Sequence, residues 1–534
     1  MPIRMEDDPI DPQDQGGGSN YPQRGSSGGG GGGGIFSLLP LLLSLFRGKG
    51  GLILLVIIAV GYFLLRGCGG GGGGGLLNNI AQLATGGFLD PRQFEKASIY
   101  EPLADDESKN PIPESASLQR FAPAVGNQGQ QGSCVAWSSA FAARTILESA
   151  RTGENKDPFS PAFLYNQIGL EGCQGSYIIK AMEYMTKQGS LPYQQFPYSD
   201  QDCSRQPDQQ LISEAAQFKM RGFNRLSLGD RNDAIDIRAI RENLSQGAPV
   251  VIGMMVGPSF MQEMMGKDLW IPEENDKSMM GFGGHAMCVV GYDDRKYGGA
   301  FLIMNSWGPE WGNNGFGWIR YPEFNYFVRE AYGLEPMARA GAIANAPLEC
   351  EIGLVRVQFD ANKKMSVGDY INLRKSGENR YETTAPIAIG SKFKVEVKNN
   401  NECYMYIFGM ETDGSAYTLF PYPRKDDPTK TKYSPFMGIT GYRLFPRDKS
   451  MTPDSIGNRD MISIMVSTKE LDWYAIQSAI NKQAGGMNWP DKIKASIPAA
   501  TSVNFTSSAK GNIQFTAPVK ENEIVYCIVE FSKQ

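Results

Sequence analysis

The sequence of 534 residues contains a single histidine, His285, so any chemistry that needs an imidazole can use only that residue. No C-x-x-C pair occurs among its eight cysteines, which argues against a structural zinc site, and neither a metal nor a cofactor is predicted. There is no long basic block and the net charge is −5, so nucleic acid is a poor candidate partner. The length leaves room for two or three domains with full cores.

The N-terminal part differs in composition from the rest of the chain. Residues 1–34 are rich in Gly, Ser, Pro, Asp and Gln, which predicts a disordered tail. Two apolar runs follow, "IFSLLPLLLSLF" and "LILLVIIAVGYFLL", and we interpret residues 35–66 as a membrane-associated segment. It would form either a single pass or a hairpin broken at Arg47 and Lys49.

The charges around the second apolar run predict the side of the membrane. Arg24, Arg47 and Lys49 precede this run and Arg66 follows it, which favours a cytoplasmic N-terminus and an extracytoplasmic or periplasmic bulk. An alternative is that "LRGC" is a bacterial lipoprotein site with Cys68 as the lipidated residue, although Arg66 does not fit that pattern.

The remaining sequence divides into a linker and two domains. Residues 67–111 are predicted to be a Gly-rich linker and lead-in arm, and residues 76–111 could instead be a short prosegment. Residues 112–340 are dense and aromatic. After a small-residue linker, alternating apolar patterns such as "KFKVEVKNN" predict a mainly antiparallel β-sandwich over residues 350–534, with one helix near residues 470–483. The predicted fold class is α+β.

The run "GNQGQQGSCVAWSSAFAARTILES" places Cys134 at the start of a helical pattern, after a polar loop. Ser133 is predicted to cap this helix. A thiol on the first helical turn lies at the positive end of the helix dipole, which predicts a lowered pKa and a reactive thiolate. On its own, such a cysteine is more often a small buried apolar residue.

Three further residues complete a candidate catalytic set with Cys134. His285, which opens a predicted strand in "GFGGHAMCVVGYDD", is the candidate base, and Asn305 in "NSWG" is the candidate partner that orients its ring. Trp307 would shield that hydrogen bond from water. The amide of Gln128 and the Cys134 backbone N–H would stabilise an oxyanion.

Several blocks of the sequence together resemble the papain-like cysteine peptidases. The blocks are "IPESASL", "NQGQQGSCVAW", "GCQGSYIIKAMEYMTKQGSLPYQQFPY", "GGHAMCVVGYDD" and "NSWGPEWGNNGFGWIR", and they extend over residues 112–335. The resemblance implies a helical lobe and a β-rich lobe with a substrate cleft between them. It assigns catalytic roles to Cys134, His285, Asn305 and Gln128, and substrate-binding roles to Gly175, Ser176, Trp307 and Trp311.

The chain also departs from that family's pattern. Gln131 replaces a family cysteine, and Val135 replaces the Trp that follows the nucleophile. Cys173 and Cys203 each match one half of a family disulfide, so whether they pair with each other is open. In the C-terminal domain, pairing of Cys527 with Cys350 or with Cys403 is also open.

The sequence therefore predicts a bacterial, membrane-anchored cysteine peptidase that acts on polypeptides. One alternative is an amidase or acyl transferase acting on cell-wall amides, and another is a non-catalytic scaffold that binds peptides. Residues 350–534 faintly resemble an appendage of bacterial surface enzymes, which suggests binding to protein or to the cell envelope.

Overall fold

The computed structural model describes residues 3–9, 85–229, 234–278, 282–337, 347–483, 485–497, 499–518 and 524–534. The predicted membrane segment at residues 35–66 and the candidate lipidation site Cys68 lie outside these ranges. Within the described ranges, no helix combines the length and the apolar character needed to cross a membrane.

The first domain, residues 112–337, combines helices with one antiparallel sheet. Its helices are α2 (Cys134–Ala136, Trp137–Arg144 and Thr145–Thr152, which run on without a break), α3 (Pro161–Ile168), α4 (Ile178–Lys187), α5 (Gln209–Ala215), α6 (Ile237–Ser245), α7 (Pro258–Gln262) and α8 (Tyr321–Phe327). Its strands are β2 (Ser115–Ser117), β3 (Phe223–Arg225), β4 (Val250–Val256), β5 (Gly283–Asp293), β6 (Ala300–Met304), β7 (Phe316–Arg320) and β8 (Val328–Leu334). The helix α1 (Pro91–Phe94) precedes this domain.

The sheet of the first domain has the order β3-β8-β4-β5-β6-β7, with β2 paired to β5. All of its pairings are antiparallel. His285 lies inside β5 rather than at its start, because that strand already begins at Gly283. Asn305 directly follows β6, which pairs with β5, so the sheet places both residues at neighbouring positions.

The second domain, residues 347–534, is built from two sheets. Its strands are β9 (Leu348–Phe359), β10 (Met365–Ile371), β11 (Leu373–Lys375), β12 (Arg380–Thr383), β13 (Phe393–Asn399), β14 (Cys403–Met410), β15 (Ala416–Phe420), β16 (Phe436–Met437), β17 (Gly441–Phe445), β18 (Lys449–Pro453), β19 (Arg459–Ser467), β20 (Phe505–Ser507), β21 (Ile513–Ala517) and β22 (Ile524–Ser532). One sheet is centred on β9 and β13, and the other has the order β11-β12-β22-β19-β14-β15. A single apolar core takes side chains from both sheets, so the two pack face to face.

Two helices cover the second sheet, where the sequence predicts one. They are α9 (Trp473–Asn481) and α10 (Trp489–Ser496), and Trp473, Trp489 and Ile493 pack with residues of β14 and β19. The sequence did not reveal α10 because its apolar residues are few. Cys350, Cys403 and Cys527 are free and buried, so neither of the pairings considered for them is present.

The first residues of the chain belong to the second domain. Residues 3–7, predicted to be part of a disordered tail, instead form β1 (Ile3–Asp7), which pairs antiparallel with β18. The next residue, Asp8, forms a 2.6 Å ion pair with Lys394, whose side chain is 0% exposed. A buried, unpaired lysine would be costly, so this ion pair fixes the N-terminus to the second domain.

Candidate active site

Cys134 begins α2 and is fully buried. The predicted cap from Ser133 is wrong, because its side chain makes no capping hydrogen bond. Its hydroxyl lies 2.6 Å from the hydroxyl of Tyr198, which in turn donates to the Gln128 carbonyl over 2.7 Å. Ser133 therefore braces the loop that precedes the thiol, through Tyr198, rather than the end of the helix.

His285 and Asn305 form a buried hydrogen-bonded pair. The Nε2 atom of His285 lies 2.8 Å from Oδ1 of Asn305. Since an amide oxygen can only accept, Nε2 carries the proton, and the neutral ring leaves Nδ1 unprotonated. Among the described residues, Nδ1 has no hydrogen-bond partner. The indole of Trp307 stacks on the imidazole with ring centroids 4.2 Å apart, which shields the pair from water.

The thiol of Cys134 lies next to this histidine. Its Sγ accepts a hydrogen bond from the backbone N–H of Ala286, the residue after His285, over 3.4 Å. Helix α2 and strand β5 therefore bring together two residues that are far apart in sequence. Proton transfer from the thiol to the imidazole would need the two groups on such neighbouring residues.

Burial holds both groups of this pair in their neutral forms. It raises the pKa of Cys134 to about 11, an effect that backbone hydrogen bonds from Ala286 and Gly86 partly offset. Burial also lowers the pKa of His285 to about 4, against the hydrogen bond to Asn305. The lowered thiol pKa predicted from the helix dipole is therefore wrong for this state, because desolvation of the thiolate outweighs the dipole.

Gln128 is buried next to the loop that carries Cys134. Its Oε1 accepts from the hydroxyl of Ser306 over 2.7 Å, and its Nε2 donates to the carbonyl of Gln131 over 3.0 Å. These two bonds fix the orientation of the side-chain amide. Its Nε2 atom, which carries the two N–H donors, faces the loop before Cys134. That orientation suits the predicted role of stabilising negative charge.

A short segment that the sequence did not assign to the site crosses it. We call residues 85–90 the groove segment, and the space it fills, between Gly132, Gly175 and Ser176 on one side and Gly284 on the other, the groove. The Gly87 amide donates to the Gly284 carbonyl over 3.0 Å, and the Phe88 amide donates to the Ser176 carbonyl over 3.0 Å. The Ser176 amide donates to the Gly86 carbonyl over 2.9 Å.

The groove segment fits because glycines face each other across the groove. A Cβ atom on Gly86 would lie 2.1 Å from the carbonyl oxygen of Gly132, and one on Gly284 would lie 2.0 Å from that of Gly87. Beyond the glycines, the side chain of Leu89 lies against Gly253 of β4 and Gly284 of β5, within 2.4 and 3.1 Å of where their Cβ atoms would be. The paired glycines followed by "FLD" were the only signal of this segment in the sequence.

The groove segment ends at a buried carboxylate. The amide of Asp90 donates to Oε1 of Glu330 over 3.0 Å. Glu330 is 2% exposed, and burial raises its pKa to about 8.

The predicted substrate-binding residues occupy two different places. Gly175 and Ser176 line the groove, next to a disulfide between Cys173 and Cys203 that had been left open. Trp307 covers His285, but Trp311 lies deeper, fully buried, with its indole N–H donating to the Phe260 carbonyl over 2.9 Å. Within the described ranges, no three His, Cys, Asp or Glu side chains are grouped as metal ligands.

The comparisons with known proteins agree on one family. A model of the papain family of cysteine proteases matches residues 114–334. Cathepsin K of Mus musculus is 28% identical over 242 residues, which are 44% of this chain and 68% of that protein. Cathepsin L2 of Homo sapiens is 27% identical over 243 residues, 42% of this chain and 64% of that protein.

Among solved structures, xylellain, a cysteine protease from Xylella fastidiosa, is 24% identical with a TM-score of 0.39, covering 48% of this chain and 96% of that one. The chain spans about two thirds of the length of the two cathepsins. Residues 114–334 of this chain therefore match the papain family of cysteine proteases, which are hydrolases.

Proposed function

We propose that this protein hydrolyses peptide bonds, with Cys134 as the nucleophile and His285 as the base. The observation that carries the proposal is the 2.8 Å bond between His285 and Asn305, which leaves Nδ1 unprotonated, while the amide of the next residue, Ala286, donates to the Cys134 sulfur. Asn305 holds the ring in this tautomer, and Trp307 excludes water from the bond. Gln128 and the backbone N–H of Cys134 serve as the oxyanion donors.

The reaction proceeds through a thioester. The proton of the Cys134 thiol moves to Nδ1 of His285, and the thiolate attacks the substrate carbonyl carbon to form a C–S bond. As the carbonyl re-forms, the C–N bond breaks and the imidazolium gives its proton to the leaving amine. Water, deprotonated by Nδ1, then attacks the thioester and releases the carboxylic acid, and the proton returns to the sulfur.

The groove supports an extended polypeptide as the substrate. The groove segment makes backbone hydrogen bonds to Ser176 on one side and Gly284 on the other, so both walls recognise main-chain groups. A substrate chain would use the same donors and acceptors after the groove segment has left. Leu89 occupies the space in which a substrate side chain would be bound.

Covalent labelling tests the proposed nucleophile. An epoxide inhibitor of thiol peptidases should modify Cys134, and a Cys134→Ser variant should not react. A His285→Ala variant should react much more slowly, and equal labelling of a folded His285→Ala protein would support a peptide-binding scaffold instead. A panel of peptide and cell-wall substrates separates a peptidase from an amidase or acyl transferase.

We also propose that residues 35–66 attach the protein to a membrane on an extracytoplasmic surface. The support is the apolar sequence together with the Cys173–Cys203 disulfide, which suits an oxidising compartment. Of the two topologies considered, the hairpin agrees better with β1, because a single pass would separate residues 3–7 from their partner β18. With the hairpin the N-terminus is extracytoplasmic too, so the cytoplasmic N-terminus predicted from the charges does not fit the pairing of β1.

Protease protection in intact cells tests this topology. With the hairpin, the N-terminus and the second domain are digested from the same side of the membrane. Digestion from opposite sides would support the single pass, and recovery of the full chain in the soluble fraction would contradict attachment. The binding of protein or envelope by residues 350–534 stays a prediction from the sequence.

A further inference from the structure

We propose that the second domain is a clamp that keeps the groove segment in the active site, acting through residues 91–111, which we call the arm. This inference rests on the proposed peptidase function, because the groove segment matters only if Cys134 is the nucleophile. It assigns to the second domain a regulatory role within the same chain.

The arm runs as a strand between the two domains. On one side, the Ile99 amide donates to the Lys432 carbonyl over 2.7 Å, and the Ser434 amide donates to the Ile99 carbonyl over 2.8 Å. On the other side, the Tyr100 amide donates to the Arg225 carbonyl of β3 over 2.9 Å. Ile99 is 1% exposed and belongs to the apolar core of the second domain.

Two arginines of the second domain reinforce this contact. Arg443 donates from Nε to the carbonyl of Glu101 in the arm over 3.2 Å. Arg447 donates from Nη1 to the Tyr100 carbonyl over 3.2 Å, and its Nη2 forms a 2.8 Å ion pair with Asp236 of the first domain. Arg447 therefore joins the arm and both domains at one point.

The far end of the arm is also fixed to the second domain. The side-chain amide of Asn110 donates to the Tyr442 carbonyl over 3.0 Å and accepts from the Tyr442 amide over 2.9 Å. Lys109 forms a 2.6 Å ion pair with Glu396 of β13. The arm is thus attached to the second domain at both Ile99 and Asn110.

The near end of the arm connects this anchor to the groove. Helix α1 places Phe94 edge-on against Tyr332 of β8, with ring centroids 5.2 Å apart. Ile99 is the ninth residue after Asp90, so a short tether of nine residues connects the groove segment to this anchor. The arm also contacts the first domain, where Arg225 bonds to Ser98 and Tyr100 and Glu242 accepts from the Leu103 amide. If the arm left both domains, the next fixed point would be Ser115 in β2, 25 positions after Asp90.

The length of the tether between Asp90 and its next fixed point determines how often the groove opens. The entropic cost of closing a flexible loop of n residues grows as (3/2)RT ln n. Lengthening the tether from 9 to 25 residues therefore makes the groove open about fivefold more often. This value applies to complete detachment of the arm from both domains. The clamp thus shifts an equilibrium between a filled and an open groove.

An Ile99→Asp variant of the full chain tests the clamp. The new carboxylate cannot stay in the core of the second domain, so the arm should detach. Cys134 should then be labelled by an epoxide inhibitor about fivefold faster than in the wild type, and the amides of Gly87 and Phe88 should exchange hydrogen faster. Ile456→Asp is the matched control, since Ile456 is 49% exposed, and it should label at the wild-type rate.

Two further variants keep the test decisive. If Ile99→Asp does not fold, Asn110→Ala detaches the far end of the arm without placing a charge in a core. Leu89→Asp empties the groove directly and leaves the arm in place. If no labelling of Leu89→Asp occurs, the proposed function fails. The opposite result refutes the clamp alone. Cys134 is then labelled rapidly in Leu89→Asp, but at the wild-type rate in a variant whose Ile99 and Tyr100 amides exchange freely, which shows that the arm has detached. In that case the proposed peptidase function still stands.

Discussion

Replacing Gly86 by alanine should open the groove. The added Cβ would lie 2.1 Å from the carbonyl oxygen of Gly132 and 2.4 Å from its carbonyl carbon. Ordinary van der Waals contact begins at about 3.4 Å, so the clash cannot be relieved without moving the main chain by about 1 Å. Both atoms belong to backbone in the loop before Cys134, which cannot yield like the end of a flexible side chain.

The hydrogen bonds of the groove segment give the magnitude. A shift of this size breaks its three main-chain bonds to Ser176 and Gly284, which are 2.9–3.0 Å long. At about 1 kcal/mol each, their loss destabilises the filled groove by about 3 kcal/mol, or roughly 100-fold. Alanine also restricts the released segment, which opposes opening by at most about 1 kcal/mol, so the clash dominates.

The assay is the second-order rate of Cys134 labelling by an epoxide inhibitor, with peptide hydrolysis as a second readout. Gly485→Ala is the matched control, because a Cβ there meets nothing within 4 Å. We expect labelling of Gly86→Ala to be about 30- to 150-fold faster, given about 2–3 kcal/mol of net effect. Wild-type labelling of a correctly folded Gly86→Ala protein would refute the view that the groove segment blocks the nucleophile.

Three further predictions concern the site and its support. In the Gly86→Ala background, His285→Ala should lower kcat/KM for a peptide by a factor on the order of 10³, because the base is lost; near-normal steady-state kinetics would contradict this. Burial raises the pKa of Glu330 from 4.5 to about 8 while the groove segment is bound. Glu330 therefore keeps a proton in the filled groove that it loses when the groove opens, so the filled groove becomes less stable as the pH rises from 4.5 to 8. The ratio of wild-type to Glu330→Gln labelling rates should therefore increase from pH 5 to pH 8, and a constant ratio would argue against it. Reduction of the disulfide, whose cysteines are 30 residues apart, should lower the free energy of unfolding by about 3–4 kcal/mol in urea, with Cys203→Ser insensitive to reductant; an unchanged midpoint would show that the bridge adds no stability.

The arrangement around His285 could be predicted because local motifs carry it. Antiparallel pairing of the strands in "GGHAMCVVGYDD" and "FLIMNSW" brings His285 next to Asn305, and Trp307 follows two residues later. The position of Cys134 at the start of a helix was also visible, since an apolar helical pattern follows a glycine-broken loop. These features depend on periodicity and short spacing, which a single sequence reveals.

The ionisation of the pair could not be predicted in the same way. The pKa of a thiol depends on what covers it, and here part of that cover is the groove segment, which contributes a backbone hydrogen bond from Gly86. The helix dipole alone predicted a lowered thiol pKa, whereas the pKa is raised while the groove is filled. The contact between Ser133 and Tyr198 was missed for a related reason, because a serine before a helix has several possible partners.

The assembly of the second domain was the least predictable part. Alternating apolar residues indicated its strands, but they do not say which strands pair. The pairing of β1 with β18 joins residues that are more than 440 positions apart, and Ile99 reaches Tyr433 over a similarly long separation. Such contacts depend on tertiary packing and leave no periodic signal, so the sequence predicted only a lead-in arm or a short prosegment here, without its contacts to the second domain.

The clamp has a consequence for the time at which the enzyme is made. Strand β8, the last strand of the first domain, ends at Leu334, whereas Lys432 and β18 are synthesised about 100 residues later. At translation rates of about 5–20 residues per second, the delay is on the order of 10 s. A ribosome that stalls in this interval would release a polypeptide with the complete set of proposed catalytic residues and without the domain that restrains them.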